Sequence, residues 1–303
     1  MNILNKIVVA TLPAVPKSIV RKFANRYIAG DSIADAVRAV KELNREGIMA
    51  TLDVLGEDIT RREEALQSRD EILNVYEAIH REKLDANVSV KLSQLGLKLD
   101  RQFCLETTRT IVLRARDLNN FLRIDMEDST CTDDTIWVYR QLRKEFTNVG
   151  IALQGYLKRT AADADGMIRD GLKNFRLCKG IYIEPEEIAY KGHEIINNHY
   201  IAVLEAMLKQ GAYVGIATHD KALVDAAYGM ISNMKLKRTD YEFQMLLGVR
   251  PDLRAKIVRD NHRLRVYVPF GHHWYRYSIR RFKENPQMAG YVFKAIFRRD
   301  RLN

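Results

Sequence analysis

From residue 49 to residue 283 the chain repeats one pattern eight times: a short β-branched or apolar run, then a stretch of helical period. The runs are Met49–Val54, Val88–Leu92, Leu122–Met126, Gly150–Gln154, Phe175–Tyr182, Tyr213–Thr218, Glu242–Leu247 and Leu264–Val268. The helical stretches that follow them are Asp58–Arg81, Arg101–Leu118, Asp133–Glu145, Ala161–Gly171, Glu187–Lys209, Lys221–Asn233, Pro251–Arg259 and Trp274–Lys283. Apolar strands alternating with amphipathic helices form parallel sheets whose outer faces the helices cover. Eight units in a row, without a linker or a second regime, predict one α/β domain over residues 1–303, a (β/α)8 barrel of the TIM type. An open doubly wound sheet is the runner-up. It usually has fewer strands, and no G-x-G-x-x-G follows any run here. A phosphate-binding G-x-x-x-x-G-K-[ST] is also absent.

Extra helices flank the barrel. Pro16–Ile28 and Ile33–Arg45 are predicted to precede the first strand, separated at Gly30. Asp31 or Ser32 is the expected N-cap of the second, and Gly47 ends it. Near the C-terminus, Met288–Phe297 is apolar and helix-capable, with basic residues after it. It reads as a helix closing the barrel, or as an amphipathic contact with a membrane or a partner.

Charge narrows the ligands. The formal net charge is +10, with many cations between Arg280 and Arg301, which favours anions: nucleic acid, a phosphate-bearing cofactor or an anionic surface. The three cysteines, Cys104, Cys131 and Cys178, form neither a CxxC pair nor a Cys/His ligand spacing. No zinc site or disulfide framework is expected, and a reducing cytoplasm fits. His272 and His273 are adjacent, a poor chelating geometry, so no metal is expected. The N-terminus lacks a small-residue cleavage site. No run of about eighteen apolar residues occurs, so a soluble protein is expected, with peripheral membrane contact left open.

In a barrel of this class the active site lies at the C-terminal strand ends. There the strands deliver, in order, Asp53; Lys91 and Ser93; Asp125 and Glu127; Gln154; Arg176, Lys179, Tyr182 and Glu184; Thr218, His219 and Asp220; Gln244; and Tyr267. Charges within apolar strands are costly unless paired or used. Plain structural roles exist for each: Lys91 reaching past the strand edge to water, Arg176 paired with Asp125, His219 bonded to backbone. The cations Lys91, Arg176, Lys179, Arg280 and Arg281 read as a basic mouth poor in general bases. That suits an anionic substrate and an anionic cofactor that performs the chemistry.

The stretch Arg265–Pro286, RVYVPFGHHWYRYSIRRFKENP, sharpens this reading. After a strand, Trp274, Tyr277, Arg281 and Glu284 share one helical face, with Arg280 one residue off it. Paired guanidiniums suit bidentate capture of a small carboxylate. The plain alternative is a solvated helix with an Arg280–Glu284 ion pair.

Eight segments together resemble the flavin-dependent proline dehydrogenases, most closely the short monofunctional bacterial ones. They are Thr51–Gly56 (TLDVLG), Val88–Leu97 (VSVKLSQLGL), Arg123–Asp128 (RIDMED), Leu153–Thr160 (LQGYLKRT), Arg176–Glu184 (RLCKGIYIE), Ala217–His219 (ATH), Glu242–Gly248 (EFQMLLG) and Val266–Asn285. The resemblance implies a distorted (β/α)8 barrel holding FAD non-covalently. It also implies oxidation of L-proline to Δ1-pyrroline-5-carboxylate, with electrons passed to a quinone. Lys91, Arg280 and Arg281 would hold the proline carboxylate, with Glu284 orienting the arginines. Tyr182, Leu246, Tyr267 and Tyr277 would wall the ring. Gln154, Arg176, Lys179, Thr218 and His219, with the backbone at Met126 and Cys178, would contact FAD. Arg176 is expected near flavin N5, and Asp125 beside the flavin and Lys91.

Three departures bear on cofactor affinity: Cys178 stands where valine is frequent, Ile183 where tryptophan is, and Asp220 where asparagine is. With no second dehydrogenase domain in the chain, a separate pyrroline-5-carboxylate dehydrogenase is expected to take the product. Two other readings compete: a Schiff-base aldolase using Lys91 or Lys179, and a basic barrel binding RNA, disfavoured by the lack of an aromatic stacking motif.

Overall fold

The computed structural model describes residues 21, 24–56, 59–275 and 278. Helix α1 (Ile33–Arg45) comes first. Strands and helices then alternate as β1 (Met49–Val54), α2 (Arg62–Arg81), β2 (Ala86–Val90), α3 (Arg101–Asp117), β3 (Leu122–Ile124), α4 (Thr132–Arg143), β4 (Val149–Gln154) and α5 (Thr160–Arg169). They continue as β5 (Asn174–Cys178), α6 (His193–Lys209), β6 (Tyr213–Ala217), α7 (Lys221–Asn233), β7 (Tyr241–Leu246), α8 (Pro251–Arg259) and β8 (Leu264–Phe270). All strands are parallel, each bonded to the next, and β8 returns to β1, so the expected barrel closes.

Local sequence accounts for several boundaries. Ser32 caps α1 in a reciprocal capping box with Asp35. Asp100 caps α3 through the amides of Gln102 and Phe103, and Asp220 caps α7 through the amide of Ala222. Pro251 opens α8, where its missing N–H costs nothing.

Some boundaries differ from the sequence expectation. β8 does not break at Pro269 but runs to Phe270, in register with Val54. Proline removes a donor only, and the Pro269 carbonyl accepts from the Ala29 amide at 2.9 Å. β2 ends at Val90, because Lys91 leads into a 3-10 turn, Leu92–Leu95, closed by Gly96 at φ +97°. β3 likewise stops at Ile124. β5 stops at Cys178 rather than Tyr182. Gly180 takes φ +105°, and a Cβ there would lie 2.0 Å from the Tyr156 ring. Lys179 and Tyr182 therefore come from a loop, and α6 starts at His193, not Glu187. The expected helices Pro16–Ile28 and Trp274–Lys283 fall largely, and Met288–Phe297 wholly, outside the described residues.

The alternation along the strands separates two cores. Leu52, Val88, Val90, Leu122, Ile124, Ile151, Leu153, Phe175, Leu177, Val214, Ile216, Phe243, Val266 and Val268 belong to the apolar core, all buried. The intervening positions are polar and also buried: Thr51 and Asp53, Ser89 and Lys91, Arg123, Arg176, Glu242 and Gln244, and Arg265. Buried charge on this scale needs partners, and the barrel provides them. Arg123 donates to the carbonyls of Ile151 and Asn174 and to the Asn174 side chain. Arg265 donates to Glu242 at 2.7 Å and to the Ala50 carbonyl at 2.8 Å. Two glycines make room: a Cβ at Gly150 would lie 2.4 Å from Arg123 Nη1, and one at Gly215 would lie 2.4 Å from Gln244 Nε2.

Candidate active site

The strand C-termini and the loops after them enclose a cavity of about 440 Å³. Asp53 and Lys91 line it from the ends of β1 and β2, and Asp125 and Met126 from the turn after β3. Ala152 and Gln154 come from β4, Arg176 and Cys178 from β5, and Lys179–Tyr182 from the loop that Gly180 turns. Thr218, His219 and Asp220 follow β6; Gln244 and Leu246 lie on β7 and Tyr267 on β8. Every described residue to which the family resemblance assigned a role lines this cavity, whereas Ser93, Glu127 and Glu184, also named at the strand ends, do not: Ser93 Oγ donates to Glu127 at 2.7 Å, and Glu184 accepts from Ser129. Tyr277, Arg280, Arg281 and Glu284 lie outside the described residues.

Lys91 does not reach past the strand to water. It is buried, and its ammonium sits 2.9 and 3.1 Å from the two oxygens of Asp53. Burial opposes the ammonium, but the carboxylates of Asp53, Asp125 and Glu127 outweigh it and hold the Lys91 pKa above the ordinary lysine value. A lysine held charged in this way is a poor imine-forming nucleophile, which removes Lys91 from the aldolase reading.

Arg176 makes the ion pair with Asp125 that the sequence allowed, between the ends of β3 and β5, which β4 separates. The Asp125 carboxylate also accepts from Ser89 Oγ at 2.5 Å and from the Tyr267 hydroxyl at 2.7 Å. Burial and the nearby carboxylates of Asp125 and Asp53 push the Tyr267 phenol well above its usual pKa, so it remains a donor. Arg176 Nε donates to Gln244 Oε1 at 2.5 Å, and its guanidinium lies 5.2 Å from the centre of the Tyr267 ring. Its Nη2 makes no hydrogen bond to the described residues.

Lys179 pairs with Asp220 at 2.7 Å, and His193 and Asn197 approach the same carboxylate oxygen at 2.9 and 3.0 Å. Burial works against the Asp220 charge, yet Lys179 and Asn197 hold its carboxyl well below the usual range. His219 accepts the Leu246 amide at Nε2, 2.8 Å, the backbone bond that its structural reading anticipated. Gln154 Nε2 donates to the Glu127 carbonyl at 2.7 Å, and burial pushes the Cys178 thiol up to about 11.

Two points correct the sequence reading. Among the described residues the mouth is not basic, because Lys91, Arg176 and Lys179 each face an aspartate. Ser89 and Glu242 also carry the site and were not singled out. The signal for them was the alternation Ser89/Lys91 and Glu242/Gln244, polar positions two apart in otherwise apolar strands. No group of three or more His, Cys, Asp or Glu suited to a metal occurs among the described residues. No described helix is long and apolar enough to cross a membrane.

The family model for proline dehydrogenase matches residues 36–293. The chain belongs to the proline dehydrogenase family. It is 36% identical to proline dehydrogenase 1 of Bacillus subtilis subsp. natto, over 91% of both chains. To the proline dehydrogenase of Deinococcus radiodurans it is 35% identical, over 91% of this chain and 90% of that one. The barrel also superposes on proline utilization A from Bdellovibrio bacteriovorus, inactivated by N-propargylglycine, with a TM-score of 0.85 at 21% identity. That match covers 92% of this chain but 36% of the other, and it establishes the shared fold. As a proline dehydrogenase family member the chain is an oxidoreductase of proline catabolism, in a family that is flavin-dependent in general.

Proposed function

We propose that the barrel mouth holds FAD non-covalently and oxidises L-proline to Δ1-pyrroline-5-carboxylate. The convergence of Lys91, Asp125, Arg176 and Tyr267 on one cavity, charged and cross-bonded, carries this reading. The donor set suits a flavin dinucleotide. Arg176 is mostly buried yet retains an Nη2 without a hydrogen bond to the described residues, so a ligand acceptor is the natural partner. Thr218 and Gln154 offer polar groups, and Lys179 a cation for a pyrophosphate. Ala152, Met126 and Leu246 supply small or apolar wall for a flat ring system.

When bound, FAD would supply the two-electron chemistry: a hydride from the proline δ-carbon to flavin N5, the electrons then passing to a quinone. The chain's own residues bind and orient. Lys91, kept charged by Asp53, holds the proline carboxylate together with Arg280 and Arg281, and Glu284 orients that arginine pair. Tyr267, Tyr277, Tyr182 and Leu246 wall the ring. Asp125 anchors Tyr267 and Arg176 at once, so the ring wall and the cation share one support. The remaining FAD contacts are His219 and the backbone at Met126 and Cys178. Fixing the reactants in near-attack geometry supplies up to roughly 7–11 kcal/mol of the barrier reduction. Proline's ammonium first loses one proton to solvent. Loss of hydride from the δ-carbon then forms the C=N bond as a protonated iminium, which releases its remaining N–H proton to solvent to give the imine. The imine product passes to a separate pyrroline-5-carboxylate dehydrogenase.

The test is the visible absorption spectrum before and after anaerobic L-proline. A flavin spectrum that bleaches on addition is expected. A flavin indifferent to proline would overturn the substrate, and a protein that stays colourless after incubation with FAD would overturn the cofactor. Arg281→Ala is expected to weaken proline binding far more than FAD binding.

A further inference from the structure

The mouth is connected to the closed floor of the barrel by a continuous hydrogen-bonded chain. Arg265 on β8 donates its Nε to Glu242 Oε1 at 2.7 Å. Gln244 on β7 donates its Nε2 to the same oxygen at 2.6 Å. Gln244 Oε1 in turn accepts Arg176 Nε from β5 at 2.5 Å. The direction of the amide is fixed by chemistry: an arginine Nε–H can only donate and an ionised carboxylate can only accept. Gln244 is buried, so both ends of its amide are engaged within the barrel wall. The space it fills exists because β6 has a glycine beside it, where a Cβ at Gly215 would come within 2.4 Å of Nε2.

We infer that Gln244 is a positioning residue for Arg176, tying the mouth guanidinium to the Glu242–Arg265 pair and thereby setting where its remaining N–H groups point. Arg176 is held at two separate points. Asp125 and Ser89 take Nη1, and Gln244 takes Nε. One contact alone would leave the guanidinium plane free to swing about it; two fix the plane. Glu242 is the fixed end of the chain. Arg265 reaches it from β8, and Arg265 is itself held to the Ala50 carbonyl on β1. The orientation of Arg176 is thus referred, through Gln244, to the β8–β1 closure of the barrel. This inference rests on the reading of Arg176 as the cation at the reacting flavin.

The experiment uses the FAD-loaded enzyme and stopped-flow reduction by proline. Gln244→Met keeps the length of the side chain and removes both hydrogen bonds. The expected result is a flavin reduction rate lower by about tenfold or more, with proline affinity from the same titration and FAD affinity of the apoprotein each changed less than about threefold. The bound flavin also becomes harder to reduce at equilibrium, a readout that a packing defect alone does not move in a set direction. Reduction at the wild-type rate and potential would overturn the inference.

Should Gln244→Met fold poorly, an exchange of donors and acceptors decides. Q244E alone sets two carboxylates against each other, and adding E242Q restores a donor between them while keeping an acceptor for both arginines. Recovery of about tenfold in reduction rate on adding E242Q supports the chain, and no recovery overturns it. Arg176→Met separates the two levels of the argument. If it leaves flavin reduction unchanged, the reading of Arg176 fails. If it slows reduction while Gln244→Met does not, only the inference fails.

Discussion

At the scale of single residues, each cation described at the mouth is answered by an aspartate. Lys91 is the sharpest case. Its position at the end of β2 follows from the chain, but Asp53 lies 38 residues earlier and meets it only because β1 and β2 are neighbours in register. Asp53→Asn leaves a buried ammonium without its counterion, and a loss of about 3–5 kcal/mol in urea unfolding is expected. Adding Lys91→Met should return most of that stability while proline binding is lost. A double variant as unstable as the single one would show that the pair is not the source of the cost. Residues such as Lys91, Asp125, Arg176 and Tyr267 were legible because charged or phenolic groups stand out in strands. Ser89 was legible only as a polar position two before Lys91. Its use appears only when Asp125 and Arg176 are seen on either side of it.

At the scale of elements, glycine placement decides where strands give way to binding loops. Gly180 ends the run that β5 begins, and it faces the Tyr156 ring too closely for any side chain. Gly180→Ala adds strain at a positive φ to that collision, for an expected cost of about 1–3 kcal/mol. Faster proteolytic cleavage between residues 180 and 192, together with weaker FAD binding by the apoprotein, is the expected signature. Unchanged cleavage would place the strain elsewhere. At α1, Ser32→Ala removes a reciprocal cap, and a loss of about 1 kcal/mol in thermal or urea unfolding is expected. Residue type alone did not reveal that β5 would stop at Cys178, because Ile181, Tyr182 and Ile183 have good strand propensity. Ile183 is instead fully exposed. Local preference yielded there to the closeness of the Tyr156 ring.

At the scale of the whole molecule, closure and pH response follow from the paired interior. β8 joins β7 to β1, so a chain ending before Leu264 leaves two unpaired strand edges. Loss of a cooperative unfolding transition and association through those edges are expected. Glu242 lies in the same interior. Burial opposes its charge, but Arg265 prevails and lowers its pKa from 4.5 to about 2. A carboxyl with a depressed folded-state pKa contributes its full stabilisation above the unfolded value. It loses that contribution as the pH falls through the folded one. Stability is therefore expected to drop by roughly 3 kcal/mol on this account as the pH falls from about 4.5 to about 2. Urea midpoints that stay flat over that interval would contradict it. The eight-unit architecture and the candidate residues at the strand ends were readable along the chain, because period and residue type are local properties and a strand's C-terminal end is known once the strand is. The partners of most charges were not readable. The Arg176–Asp125 pair was one reading left open beside a contact to the flavin, but no partner was named for Lys91 or Lys179, and the mouth looked basic when its cations were counted along the chain. Closure of the barrel brought groups 51 residues apart into contact and gave each described mouth cation an aspartate. Such pairing depends on register around a closed sheet, which spacing along one strand does not encode.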